Sequence, residues 1–149
     1  MSRRSTTASP RSLKIRGLPD RHQRRHRALE RQAEGLEAVQ AQMGNELVAM
    51  AAITASELLH GVHRADTAVR RERRLRHVED VLDSVAVLPF DIETARIHSR
   101  IWADLAARGQ LIGAHDLLIA ATALSRELRV ATLNRDHFDR VEALEVVAW

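Results

Sequence analysis

From residue 29 onward the apolar positions recur with two alternating periods. Residues 29–43 (LERQAEGLEAVQAQM) set Leu29, Ala33, Leu36, Val39 and Met43 at helical spacing. Residues 46–53 (ELVAMAAI) are nearly unbroken apolar, as in a strand buried on both faces of a parallel sheet. Thr54 and Glu57 have capping-box spacing, which predicts a helix beginning at Thr54. Residues 63–80 are very polar, with Val69, Leu75, Val78 and Leu82 as a sparse apolar line, and read as a solvated helix or helical pair. A second strand is expected over 84–90. Asp91 then caps a helix whose Ile92, Ala95, Ile101, Trp102 and Leu105 would face the core, and Gly109 ends it. In residues 112–124 (IGAHDLLIAATAL), Gly113 breaks the chain and Asp116 opens a helix with hardly any polar side, which belongs at the centre of a fold. Residues 128–133 predict a third strand, 134–141 a polar loop or short helix, and 144–149 a closing strand. Strands alternating with helices argue for an α/β fold with a mainly parallel sheet, where ligands bind beyond the carboxyl ends of the strands.

The length of 149 residues suits one domain. With no cysteine, disulfides and thiolate metal sites are excluded. No apolar run approaches the roughly 18 residues of a membrane span, so no membrane partner is expected. Charge divides the chain. Residues 1–27 carry nine Arg or Lys against Asp20 alone, leaving 14 basic and 19 acidic residues from the totals of 23 and 20. The expected organisation is a basic segment, 1–28, and a domain, 29–149.

Glu57, Asp116 and the polar residues after Thr132 all lie just past a strand or at a helix start. Singly, each has a structural reading: Glu57 as a cap partner, Asp116 as a helix-terminal charge, Asn134 and Asp136 as turn formers. Gathered at one edge they carry a cost. Two carboxylates about 4 Å apart repel by about 4 kcal/mol at an effective dielectric of about 20, more than capping returns. A hard cation relieves that repulsion. Mg²⁺ takes a few carboxylates and keeps several waters, and such a centre assists phosphodiester hydrolysis.

The blocks ITASELLHGV, VLPFDIETARIHSRIWADLAARGQLIGAHDLLIAATAL and ATLNRDHFDRVEALEVVAW resemble, in order, those of VapC-type PIN-domain ribonuclease toxins. The resemblance covers residues 46–149 and extends toward Leu29. It implies a PIN-like α/β/α sandwich and a Mg²⁺- or Mn²⁺-dependent endoribonuclease acting on RNA. It also implies a cytoplasmic protein, often a homodimer, inhibited by a VapB-type antitoxin. By position, Glu57 and Asp116 match the family's metal-binding acids, Thr132 and Asn134 its T-x-N/D, and Asp136 a nearby fourth acid. Asn134 and Asp136 would then position waters in catalysis.

One departure concerns the first strand, which in the family ends in Asp-Thr-Ser or Asp-Thr-Asn. Here that place holds GLPDRHQRRHRALE, with no apolar run before Leu29, so the strand reads as missing or replaced, and its role is not carried onto Asp20. Three readings of the segment stand: an organellar targeting peptide, a basic nucleic-acid-binding arm, or DNA read in the wrong frame. The genetic code permits the third. Shifted one base forward, RHQRRH (21–26) can encode Asp-Thr-Ser-Val-Val-Ile, and RGLPD (16–20) can encode Val-Val-Phe-Leu-Ile. A chain translated as written would lose a metal ligand, which leaves a second functional reading, a non-catalytic remnant that binds an antitoxin. A His/Asp phosphohydrolase built on His115 and Asp116 is opposed by the strands, since such sites occur in all-helical folds. His60, His63, His77, His98 and His137 read as surface or locally bonded residues, Trp102 and Trp149 as packing, and Arg70 to Arg76 as a solvated helix face.

Overall fold

The computed structural model describes residues 14–16, 38–42, 44 and 46–148. The readings placed on residues 1–13 and 17–37, including the first part of the helix expected over 29–43, lie outside the described residues; 38–42 are helical. Among the described residues the strands are β1 (Lys14–Arg16), β2 (Ala49–Ala51), β3 (Ala86–Leu88), β4 (Arg129–Ala131) and β5 (Val146–Val147). The helices are α1 (Ala52–His63), α2 (Ala68–Ser84), α3 (Ile92–Ala107), α4 (Ala114–Ser125) and α5 (Arg135–Phe138). Hydrogen bonding orders the strands β1-β4-β5 and β2-β3, with every pair parallel. Because β1 also lies beside β2, the spatial order is β3-β2-β1-β4-β5.

Alternation along β2 divides the core. Ala51 joins Leu105, Leu117, Ile119, Ala120, Ala123, Val130 and Phe138, whereas Met50 joins Ala55, Leu58, Val62 and Val78. Neighbouring strand residues point to opposite faces, so α3 and α4 cover one side of the sheet and α1 and α2 the other. The α/β sandwich with a parallel sheet is as expected. Helix α4 fills its centre, with Ile119, Ala120, Ala121 and Ala123 wholly buried.

The first strand, expected to be missing or replaced, is replaced: Lys14–Arg16 occupies that place, with Lys14 opposite Arg129, Ile15 opposite Val130 and Arg16 opposite Ala131. A parallel ladder is built from main-chain N–H and C=O groups, so a short polar stretch can stand in for the apolar strand. Other expectations need correction. The strand expected over 46–53 is confined to Ala49–Ala51, and α1 starts at once at Ala52. The predicted capping box does not form: the N-cap is Ala51 without a side-chain bond, and Thr54 is buried inside α1. No polar break separates strand from helix here, so the chain turns directly from one into the other. The very polar helix runs over Ala68–Ser84, started by Thr67, whose hydroxyl accepts the Arg70 N–H.

On α3 the core face is also shifted. Ile92 and Trp102 are 69% and 55% exposed, while Thr94 and Leu105 are buried. Thr94 wins its place through polar contacts, its hydroxyl lying 2.9 Å from Asp91 Oδ1 and 3.0 Å from Ser125 Oγ of α4. Trp102 instead packs edge-on against His98, which packs against Phe90. The two ends of α3 are as expected. Asp91 accepts the Thr94 N–H at 2.9 Å, and Gly109, with φ +64°, ends the helix. There the N–H groups of Gly109 and Gln110 return to the Ala106 and Leu105 carbonyls.

The Thr94 N–H, and then Arg126, hold the Asp91 carboxyl well below the usual carboxylate range. A depressed folded-state value means the stabilisation is complete at neutral pH and is lost as pH falls below about 4, the unfolded value. Asp91→Asn is therefore expected to melt a few degrees lower than the parent at pH 7. Melting curves across pH should show that gap constant down to about pH 5 and closing below about pH 4; a gap unchanged at pH 3 would contradict the assignment.

Candidate active site and metal centre

Two acids, Glu57 and Asp116, stand on helices α1 and α4, which pack against each other. Asp116 is the third residue of α4, whose first turn opens at Gly113. The partial positive charge of a helix N-terminus favours a carboxylate there. It is 8% exposed. Gly113 leaves it room, since a Cβ at that position would stand 3.4 Å from Asp116 Oδ2. Glu57 projects from the middle of α1. Its Oε1 pairs with Nδ1 of His115, the residue before Asp116, and this contact ties α1 to the first turn of α4. Its Oε2 is buried without a hydrogen-bond partner among the described residues. A buried acceptor left unsatisfied costs roughly 1–3 kcal/mol, and more when charged, so this oxygen calls for a donor or a cation.

The other side of the site is built by the turn after β4. Thr132 is wholly buried, and its hydroxyl accepts the Asn134 backbone N–H at 2.9 Å, as hydroxyls do in local turns. Helix α5 follows, anchored by buried Phe138. The anchor sets His137 against α4, with Nδ1 2.7 Å from Asp116 Oδ2. The Asn134 side-chain amide lies 3.1 Å from the same nitrogen.

Of the residues singled out from sequence, the structure brings Glu57 and Asp116 to adjoining elements and links Thr132 and Asn134 to Asp116 through His137. Asp136 is exposed on α5, outside that chain of hydrogen bonds. The sequence reading, which took His137 as a surface or locally bonded residue, missed its contact with Asp116 and found no partner for His115. The available signal was spacing: Asn134 and His137, three apart, share a helical face just before a buried aromatic.

The donor chemistry suits a hard divalent cation, with oxygen ligands from Glu57 and Asp116 and one orphaned carboxylate oxygen. Among the described residues no group of three or more His, Asp or Glu is placed to hold a metal ion. Two carboxylates alone leave most of a divalent cation's coordination to water or substrate.

The PIN domain family model matches residues 16–144. Ribonuclease VapC1 of Rickettsia felis is 40% identical over 95 residues, which cover 64% of this chain and 71% of that protein. The tRNA(fMet)-specific endonuclease VapC of Salmonella typhimurium is 34% identical over 100 residues, covering 67% of this chain and 74% of that protein. Among solved structures, DNA-bound VapBC from Salmonella typhimurium superposes with a TM-score of 0.74 at 25% identity, covering 93% of this chain and 98% of the other. VapBC-5 from Mycobacterium tuberculosis gives 0.58 at 38% identity, covering 68% and 79%. The strand order, the acids at the sheet edge and these likenesses agree: the chain belongs to the PIN-domain family, among the VapC-type ribonuclease toxins.

Proposed function

We propose that this ribonuclease cuts RNA internally with Mg²⁺ as its ion, and that Glu57 and Asp116 hold the ion. The contact of Glu57, whose other oxygen is buried and unpaired among the described residues, with His115, the residue before Asp116, carries the reading. When bound, the ion supplies water activation and stabilises charge developing on the phosphodiester. The side chains do the rest. Glu57 and Asp116 present carboxylate oxygens from rigid helices, while Thr132 fixes Asn134. Asn134 and Asp136 orient water and phosphate from the solvent side of α5. The partner we infer is a VapB-type antitoxin, supported by the VapBC assemblies among similar structures, with two copies of the chain forming the toxin dimer in the cytoplasm. We take the basic segment to end at residue 28, its Lys14–Arg16 lending a strand to the domain.

Incubation of the purified chain with an RNA pool containing tRNA tests this. Fragments are expected with Mg²⁺, none with EDTA, and recovery on adding Mg²⁺ or Mn²⁺ in excess. Cleavage indifferent to EDTA would overturn the metal assignment. A second reading, a non-catalytic remnant that titrates antitoxin, rests on the sequence GLPDRHQRRHRALE standing where the family's first strand ends in Asp-Thr-Ser or Asp-Thr-Asn. It predicts antitoxin binding without metal-dependent fragments.

A further inference from the structure

We propose that His137 is a positioning residue for the reaction, holding the Asp116 carboxylate in its working orientation and transmitting to it the placement of Thr132 and Asn134; this rests on the assignment of Asp116 above. Helix α4 opens at a glycine that provides no side-chain cap, and Gly113 leaves the Asp116 carboxylate open space on that side. Its fixed contact is therefore His137 Nδ1, at 2.7 Å from Oδ2, while Oδ1 makes no hydrogen bond among the described residues. One oxygen is held and the other is free to serve the cation.

The chemistry of the partners fixes the hydrogen. An ionised carboxylate only accepts, so the imidazole carries its proton on Nδ1 and donates to Oδ2. The Asn134 amide nitrogen lies 3.1 Å from that ring nitrogen; flipping this amide, whose orientation is set by the network, presents its carbonyl oxygen to the shared N–H. Asn134 is in turn fixed through its own N–H on Thr132 Oγ1. The order of support runs from buried Thr132 at the end of β4, through Asn134 and His137, to Asp116 on α4. Thr132 and Asn134 thus act on the acid through the histidine. His137 is 30% exposed, while the adjoining Phe138 makes the core contact, so the ring can be altered without removing the anchor of α5.

Three variants separate this role from a merely structural one. The amide nitrogen of asparagine overlays Nδ1 of histidine, and that of glutamine overlays Nε2. His137→Ala and His137→Gln are expected to lose about 10- to 100-fold in kcat, the usual cost of removing a group that orients a metal-binding side chain. The KM for RNA should be unchanged and the Mg²⁺ half-saturation raised. His137→Asn should recover to within about threefold of the parent, since it restores a donor at the Nδ1 position. As a readout independent of turnover, Mn²⁺ should raise the melting temperature of the parent and His137→Asn more than that of His137→Ala. Parent-like kcat and Mn²⁺ response in the alanine and glutamine variants, or an asparagine variant as impaired as alanine, would overturn the proposal. Asp116→Asn, measured alongside, separates the two levels: if it too cleaves like the parent, the assignment of Asp116 fails. If only the His137 variants are neutral, the positioning role alone fails.

Discussion

Asp116→Asn lowers the rate of RNA cleavage by about 10²- to 10³-fold at saturating Mg²⁺, the size of effect seen when one preorganised electrostatic group is lost. The same change moves the melting temperature by only a few degrees. The amide has almost the volume of the carboxylate, and its oxygen can still accept from His137 Nδ1. The stability lost is the interaction of one charge with the first turn of α4, about 0.3–1 kcal/mol. This contrast separates function from the alternative in which Asp116 only neutralises a helix terminus. That alternative predicts a change in melting with cleavage intact. Parallel rate and melting measurements on the one variant decide between them, and Glu57→Gln should follow the same pattern because its Oε2 has no bond to lose among the described residues.

The second large effect concerns the N-terminal segment. Replacing residues 16–20 with Val-Val-Phe-Leu-Ile and 21–26 with Asp-Thr-Ser-Val-Val-Ile is expected to raise cleavage at least tenfold, an order-of-magnitude figure for an added charge at the reacting centre. It should also raise the melting temperature. The present ladder sets Arg16 opposite Ala131. An apolar strand ending at residue 20 in that position has slid by four residues. An even slide keeps each side chain on its face and brings residue 21 level with Thr132, at the edge where Glu57 and Asp116 converge. The new carboxylate would supply a third oxygen donor. Rates and melting curves equal to those of the parent would contradict the frame reading. A replaced chain that instead loses salt-sensitive RNA affinity would identify residues 1–28 as a phosphate-binding arm.

Much of this was legible in the sequence because the domain keeps its patterns where burial enforces them. The all-round apolar stretch after Asp116 marked α4 as central, and Asp91 and Gly109 marked the ends of α3, since both signals are local chemistry. Thr54 and Trp102 were misread for the opposite reason. A capping box needs a break between strand and helix, and at Ala51 the chain passes from one to the other without one. Helical spacing cannot tell which of two neighbouring stripes faces the sheet, and on α3 the hydrogen bonds of Thr94 decided against Ile92 and Trp102. β1 escaped notice because a main-chain ladder leaves little mark on side-chain pattern. At the site, the acids could be found from their places after strands. The histidines could not, because His115–Glu57 and His137–Asp116 join residues 58 and 21 positions apart, and nothing local in the chain pairs them.

The central claim is that Glu57 and Asp116 together hold a divalent cation, and direct titration with Mn²⁺, followed by calorimetry or by the paramagnetic signal of the free ion, tests it without recourse to RNA. The account predicts one ion per chain for the parent, competed by Mg²⁺, and no binding to a Glu57→Gln, Asp116→Asn double variant that still melts cooperatively. An identical isotherm for parent and double variant, or no binding by the parent at millimolar Mn²⁺, would contradict it.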